Sequence, residues 1–185
     1  MHMLVLCSLN LILTVGVVLG GQAPVTPAVG QKAPEFALAS LQGQTVRLSD
    51  ELQRGPVVLV LLRGWPGYQC PFCTRQFADY LAHATDFERS GARVVFVYPG
   101  PLDGLKAHAD AFIQSREMPV AFTFLLDPEY RFTHLYGLRW DAPGETAYPS
   151  TFVLSQTGTV RFAKTSRAHG DRVPATDVLR ILAGR

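Results

Sequence analysis

Cysteine is scarce in this 185-residue chain: there are three, and Cys7 stands in an apolar N-terminal stretch. Cys70 and Cys73 alone cannot build the many-bridged framework of a small secreted scaffold. A second Cys-x-x-Cys and a closely spaced His pair are both missing, so the four ligands of a structural zinc site are not there. An iron–sulfur cluster fails for the same want of ligands. Neither sign of charge dominates: Lys and Arg number 17 against 15 Asp and Glu, a net charge of +2 with no basic block or acidic tail. Nucleic acid is therefore not an expected partner. No internal repeat is present, and the chain is long enough for one domain to bury a core without disulfides.

What is there begins with Met3–Gly21, a run without a charged residue, followed by the small residues Gly20, Gly21 and Ala23 expected around a signal-peptide cleavage site. Residues 1–23 are read as a signal peptide or, because the run is nearly long enough to cross a bilayer and lacks a positive start, as an N-terminal membrane anchor. Either reading places the protein outside the cytoplasm, periplasmic or extracellular, with a possible membrane tether. Cys7 has too little apolar sequence before it for a lipoprotein signal.

Residues 24–34, rich in proline, read as a linker, and the folded domain as 30–185. Strand-like and helix-like stretches then alternate: a strand over 45–48; a short helix over 49–54 capped by Ser49 and stopped by Gly55; a buried strand over 57–62. Phe77, Tyr80, Leu81, Ala84 and Phe87 recur at helical spacing, and Ser90-Gly91 ends that helix before a buried strand over 93–98. This is a βαβ crossover, so the two strands are expected to be parallel. Leu105, Ala109, Phe112 and Ile113 mark another helix. A strand over 122–126 precedes a short helix through Tyr136, with Asp127 as its N-cap and Pro128 at its first position. A hairpin over 147–154 and 159–163 turns at Gln156-Thr157-Gly158, and 176–182 forms a closing helix. The expected architecture is a three-layer α/β/α sandwich on a mixed sheet.

Two cysteines three apart, just after a buried strand, point to redox chemistry. A purely structural disulfide over so short a loop removes little entropy from the unfolded chain. Pro71 suits the first position of a helix, which puts Cys70 at the N-cap, where unpaired N–H groups and the helix dipole favour a thiolate. Cys73, one turn on, is then placed to attack a mixed disulfide or sulfenic acid at Cys70 and close a Cys70–Cys73 bond.

These residues resemble the thioredoxin fold and, within it, the alkyl hydroperoxide reductase/thiol-specific antioxidant group of peroxiredoxins and exported thiol-disulfide reductases. The resemblance is carried by Gly30-Gln-Lys-Ala-Pro-Glu-Phe-Ala-Leu38, Arg63-Gly-Trp65, Cys70-Pro-Phe-Cys73, Leu126-Asp-Pro with Tyr136-Gly137, and Tyr148-Pro149-Ser-Thr-Phe-Val-Leu154. Peroxiredoxins of this group carry Pro-x-x-x-Thr/Ser-x-x-Cys. Here Pro66 opens that frame, Cys70 takes the Thr/Ser position and Cys73 that of the peroxidatic cysteine. The motif is a hybrid of peroxiredoxin and thioredoxin-like patterns. The arginine such peroxiredoxins often carry before the Ser-Thr-Phe strand is replaced by Pro149, which resembles the cis-proline of thioredoxin-like oxidoreductases, with Tyr148 beside it. Arg63 is a candidate for the missing positive charge, and Trp65 and Tyr68 for walls of the site. His83, His108, His134 and His169 carry no assigned role.

The resemblance implies a cofactor-free thiol oxidoreductase cycling Cys70 and Cys73 between dithiol and disulfide. The preferred activity is thiol-disulfide exchange with protein or small-thiol partners, and the alternative is a peroxiredoxin-like thiol peroxidase acting on hydroperoxides. Because copper(I) accepts two thiolates, a non-enzymatic copper chaperone or interaction module with this fold is a further alternative.

Overall fold

The sheet is built on two runs of apolar residues that alternate between its faces. In the computed structural model, which describes residues 25–184, β3 (Val57–Leu61) is buried along its whole length. Val58, Val60 and Leu62 join one core while Val57, Leu59 and Leu61 join another on the opposite face. A strand covered on both sides needs no polar alternation, hence its unbroken run of Val and Leu. β4 (Arg93–Gly100) lies parallel to β3, with Val58 opposite Val94. The connection between them runs through α2 (Pro71–Ala82) and α3 (Ala84–Arg89), which meet at His83 where one continuous helix was expected.

Seven strands follow in the order β2-β1-β5-β4-β3-β6-β7. β1 (Ala37–Ser40) and β2 (Thr45–Arg47) form an antiparallel edge, β5 (Phe122–Pro128) pairs parallel with β4, and β6 (Ser150–Leu154) with β7 (Val160–Thr165) forms an antiparallel hairpin on β3. The sheet is therefore mixed. α2, α3, α4 (Leu105–Ile113) and α6 (Ala175–Leu182) cover one face through Phe77, Tyr80, Phe87, Ala109, Phe112 and Val178. α1 (Leu48–Arg54) and α5 (Arg131–Leu135) cover the other through Leu48 and Phe132. The result is the expected three-layer sandwich.

Several local expectations differ from the structure. Ser49 does not cap α1; its N–H and hydroxyl both donate to the Glu35 carboxylate, and the helix starts one residue earlier at Leu48. Asp127 and Pro128 belong to the end of β5, opposite Pro99 and Gly100. Fully buried Asp127 still serves α5: its carboxylate accepts the N–H groups of Phe132 at 2.7 Å and Thr133 at 3.0 Å and the Thr133 hydroxyl. The intervening Glu129 and Tyr130 take left-handed conformations that delay the helix to Arg131. β1 was not foreseen, because Ala37-Leu-Ala-Ser40 has little intrinsic strand character and becomes a strand by pairing on both sides. β6 begins only after Pro149, which has no N–H to give a ladder. The stretch expected as a linker is tied to the β6–β7 hairpin: Gly30 N–H donates to Val160 O at 2.9 Å and Ala33 N–H to Gly158 O at 2.9 Å. The expected leader, residues 1–23, lies outside the described residues. Among the described residues no helix is long and apolar enough to cross a membrane.

Candidate active site

The carboxyl ends of the parallel strands β3 and β4 open at one edge of the sheet, where α/β folds place their ligands. The chain leaves β3 through Arg63 and Gly64, and Gly64 approaches Pro99 at the end of β4 so closely that a Cβ there would meet the Pro99 carbonyl oxygen at 1.9 Å. Its φ of +73° is likewise one that glycine adopts at little cost. Trp65 N–H then donates to that same carbonyl at 2.9 Å, and the Trp65 ring stacks on His108 of α4 with centroids 3.6 Å apart. Gln69 completes the bracing by donating to His108 O at 2.7 Å and accepting from the Tyr98 hydroxyl at 2.9 Å. Trp65 thus braces the loop against α4 and the end of β4. Tyr68 is half exposed, and its hydroxyl meets the Arg63 guanidinium.

Cys70 is the N-cap of α2 with Pro71 at the first helical position, as its sequence predicted. Both sulfurs are more deeply placed than expected, for Cys70 and Cys73 are each only 1% exposed, Cys70 being covered along with its mate. Both are free thiols. The two sulfurs interact, and together they part with one proton easily and the second with difficulty. The hydrogen bond from Cys73 is the main cause that lowers the Cys70 thiol to about 5, against the opposing cost of burial; the N–H groups of Cys73 and Phe72 and the charge of Arg172 also contribute. Burial, reinforced by that same shared hydrogen bond, pushes Cys73 well up, so it stays a thiol behind a Cys70 thiolate. Tyr98 is raised as well, by burial opposed by Gln69, with negative sulfur nearby adding to the rise.

Two donors converge on Cys73 Sγ: the backbone N–H of Arg63 at 3.3 Å and the guanidinium of Arg172 at 3.5 Å. Arg63, the candidate for the missing positive charge, thus reaches the sulfur through its backbone N–H and not through its guanidinium. Its side chain is 2% exposed, donating from Nε to Glu145 at 2.8 Å and from Nη2 to Gly144 O at 2.6 Å. Burial works against this charge, but the Glu145 carboxylate and Tyr68 hydroxyl outweigh it and hold Arg63 above its ordinary value. His169 adds a contact to Glu145 at 3.0 Å, and Thr146 donates to Arg63 O. The Arg63 charge is consumed in pinning the 144–146 loop under the β3 exit. Arg172, from the segment ahead of α6, is the cation whose field reaches both sulfurs.

Sequence reasoning missed Arg172, Glu145 and Thr146, since none stands in a motif and each reaches the site from a distant loop. The 166–174 segment is held by the Ser166 hydroxyl on Asp171 O, Tyr80 hydroxyl on Val173 O at 3.2 Å, and Ala175 N–H on Asp79 at 2.8 Å. Leu61 pairs with Ser150, which brings Pro149 to the same end of the sheet. No described peptide bond is cis, so the Tyr148–Pro149 bond is trans, against expectation. The backbone beside it is occupied as well: Pro149 O accepts Ser166 N–H at 2.8 Å and Tyr148 N–H donates to Leu138 O at 2.9 Å. Tyr148 stacks on Trp140 with centroids 4.8 Å apart. Among the described residues no group of three His, Cys, Asp or Glu side chains could hold a metal ion.

A thiolate at a helix N-cap, backed by a second thiol, on a three-layer mixed sheet defines a thiol-dependent redox protein of the thioredoxin fold. Residues 29–163 match the AhpC/TSA family, and the chain belongs to that family. A Mycobacterium tuberculosis protein described as a peroxiredoxin is 30% identical over 140 residues, 73% of this chain and 83% of that protein. The chloroplast peroxiredoxin Q of Populus jackii is 30% identical over 132 residues, 71% of this chain and 57% of its own length. Among solved structures, peroxidoxin BcpB of M. tuberculosis superposes with a TM-score of 0.67 at 22% identity, covering 85% of this chain and 97% of that one. A Chlorobium tepidum protein described as a thiol:disulfide interchange protein DsbE superposes with a TM-score of 0.62 at 26% identity, over 85% and 99% of the two chains.

Proposed function

We propose that this protein is a thiol-dependent peroxidase in which Cys70 attacks a hydroperoxide and Cys73 resolves. The observation that carries this reading is a lowered Cys70 thiol, backed by a protonated Cys73, in a site too closed for a bulky substrate. A protein disulfide needs an exposed sulfur and free backbone beside it, and the groups flanking Pro149 are already paired. A hydroperoxide asks for far less room. The peroxiredoxin relatives support the same choice. Of the two features the sequence lacked for peroxide chemistry, a positive charge reaches the sulfurs in space through Arg172.

In the first step the Cys70 thiolate attacks the distal peroxide oxygen. An S–O bond forms, the O–O bond breaks, and the departing alkoxide takes a proton to leave as alcohol, or as water from hydrogen peroxide. In the second, Cys73 gives up its proton, its sulfur bonds to Cys70, and the sulfenic hydroxyl departs with that proton as water. Arg172 favours the Cys73 thiolate at this moment. Two thiols from an external reductant then return the pair to the dithiol, themselves becoming a disulfide.

Stopped-flow mixing of the reduced protein with hydrogen peroxide tests the reading. Consumption should be fast, cost two thiols per protein, and cease in Cys70→Ser. Cys73→Ser should halt at a sulfenic acid on Cys70 that dimedone traps. Unreduced peroxide consumption by Cys70→Ser would move the attack to Cys73. A second reading, reduction of disulfide substrates, is favoured by the N-cap cysteine itself and by the likeness to the DsbE-type protein; it would win if peroxide reacted slowly and small disulfides fast.

A further inference from the structure

The Arg172 guanidinium lies under cover beside the sulfurs without a carboxylate to neutralise it. Its Nη2 stands 3.5 Å from Cys73 Sγ, while Nε and Nη1 are covered and meet no hydrogen-bond acceptor. The two buried arginines among the described residues are treated differently: Arg63 holds Glu145 at 2.8 Å and Arg93 holds Glu51 at 2.7 Å. The acidic groups around Arg172 are engaged elsewhere. Asp171 pairs with Lys164 at 3.0 Å, and Asp79 accepts from Ala175 N–H at 2.8 Å and stands 3.5 Å from His83 Nδ1. Glu145 is taken by Arg63 and His169. The anion left to Arg172 is therefore the sulfur pair.

The backbone that carries this charge is pinned on both sides. Ser166 hydroxyl donates to Asp171 O, Tyr80 hydroxyl donates to Val173 O at 3.2 Å, and Val173 and Ala175 are buried. A charge held in place with one kind of partner feels the loss of that partner in full. The reduced pair carries a negative charge once Cys70 ionises, whereas the disulfide carries none and leaves a covered guanidinium facing neutral sulfur. We propose that Arg172 disfavours the Cys70–Cys73 disulfide relative to the dithiol, which makes the pair easily reduced and selects its reductant: an ordinary monothiol suffices, without a strongly reducing dithiol. The inference rests on the dithiol–disulfide cycle proposed above. A monothiol, as its thiolate, attacks one sulfur of the pair; the Cys70–Cys73 bond breaks, and the electron pair it releases stays on the other sulfur, within the field of Arg172. A second monothiol attacks the resulting mixed disulfide and leaves as the small disulfide. Two thiols are oxidised, and the protein pair gains two electrons, with the protons passing to the cysteines or solvent.

The experiment equilibrates the full-length protein with glutathione and glutathione disulfide at neutral pH and reads the dithiol fraction by mass after alkylation. Arg172→Met should move the equilibrium toward the protein disulfide by about 10- to 100-fold, the worth of one hydrogen bond to a charged group, which is ~30–60 mV at about 30 mV per tenfold. Arg172→Lys keeps the charge and should recover most of that shift. Melting supplies a second readout: oxidised Arg172→Met should melt above the oxidised wild type, and the gap should close or reverse between the reduced proteins. A change in packing alone would act alike on both states. An equilibrium within about twofold of wild type, or moved the other way, overturns the role given to Arg172, as does a lysine variant that behaves like the methionine one. A wild-type disulfide that glutathione leaves intact and dithiothreitol reduces overturns it too. Failure of Cys70 and Cys73 to form a disulfide at all, with excess glutathione disulfide or hydrogen peroxide, overturns instead the cycle beneath it.

Discussion

Removing the Cys73 sulfur should raise the pH at which Cys70 becomes a thiolate nucleophile, by an amount that follows from the shared hydrogen bond. With Cys70 lowered to about 5 from the ordinary 9.0, about 90% of it is thiolate at pH 6, against ~0.1% for an unperturbed thiol. The thousandfold gain in thiolate is offset in part, because intrinsic nucleophilicity falls with basicity: a coefficient of about 0.4–0.5 over that shift costs ~40–100-fold. Net reactivity toward iodoacetamide at pH 6 should therefore exceed that of an ordinary thiol by roughly ten- to twentyfold. Cys73 is the largest contributor to the lowering, and a hydrogen bond to a charged group, at about 1.5–3 kcal/mol, corresponds to ~1–2 pH units. In Cys73→Ala the midpoint of the alkylation profile should rise from about 5 to ~6–7, with Arg172 and the N–H groups of Phe72 and Cys73 retaining the rest. Alkylation rates from pH 4 to 9, with labelled peptides mapped by mass spectrometry, measure both midpoints. A wild-type midpoint above ~8, or one that Cys73→Ala leaves in place, would refute the claim that the second sulfur holds the charge on the first.

The same coupling makes the reduced protein's stability depend on pH. Cys70 is lower in the folded than in the unfolded chain, so between about 5 and 9.0 the unfolded chain binds the extra proton; stability should rise with pH across that window and be lost as pH falls through about 5. Denaturation of reduced wild type and Cys70→Ser at several pH values isolates this contribution, which the serine variant should lack; Cys73, shifted upward, acts in the opposite sense only above 9.0. Glu145→Ala leaves the buried Arg63 guanidinium without its carboxylate and should cost about 3 kcal/mol, lowering Tm by ~6–12 °C, whereas His169→Ala, at the half-exposed rim of the same network, should cost under ~1 kcal/mol. Equal melting temperatures for the two variants would show that the Arg63–Glu145 pair does not pin the loop. Gly64→Ala should yield little folded protein, since its Cβ would overlap the Pro99 carbonyl at a positive φ, and a variant with unchanged Tm and peroxide rate would contradict the close approach of the two strand ends.

How much was legible in the residues depended on whether the determining contacts were local. The unbroken Val57–Leu61 run, the helical spacing of Phe77 and Tyr80, the four buried positions of α4 and the Pro71 start of α2 are short-range patterns, and each element stands where those patterns put it. The N-cap position of Cys70 belongs with them, as it needs only the Cys-Pro order. Where a nearby residue could bond in two ways, local reading failed: Ser49 turns to Glu35, and Asp127 caps α5 from inside a strand.

The electrostatics of the site were beyond the sequence because their sources are far apart along the chain. Arg172 lies 99 positions from Cys73, and Glu145 lies 82 from Arg63. Only the crossing of α2 by the C-terminal segment brings the first pair together, and only the turn at the β3 exit the second. By itself the amino-acid order determined a mixed α/β sandwich with a reactive cysteine at a helix start, since strand burial, helix periodicity and capping act within a few residues. Tertiary structure decided which arginine faces the sulfurs and that both sulfurs are covered. Coulomb forces and desolvation depend on distance through space, and separation along the chain does not reveal that distance.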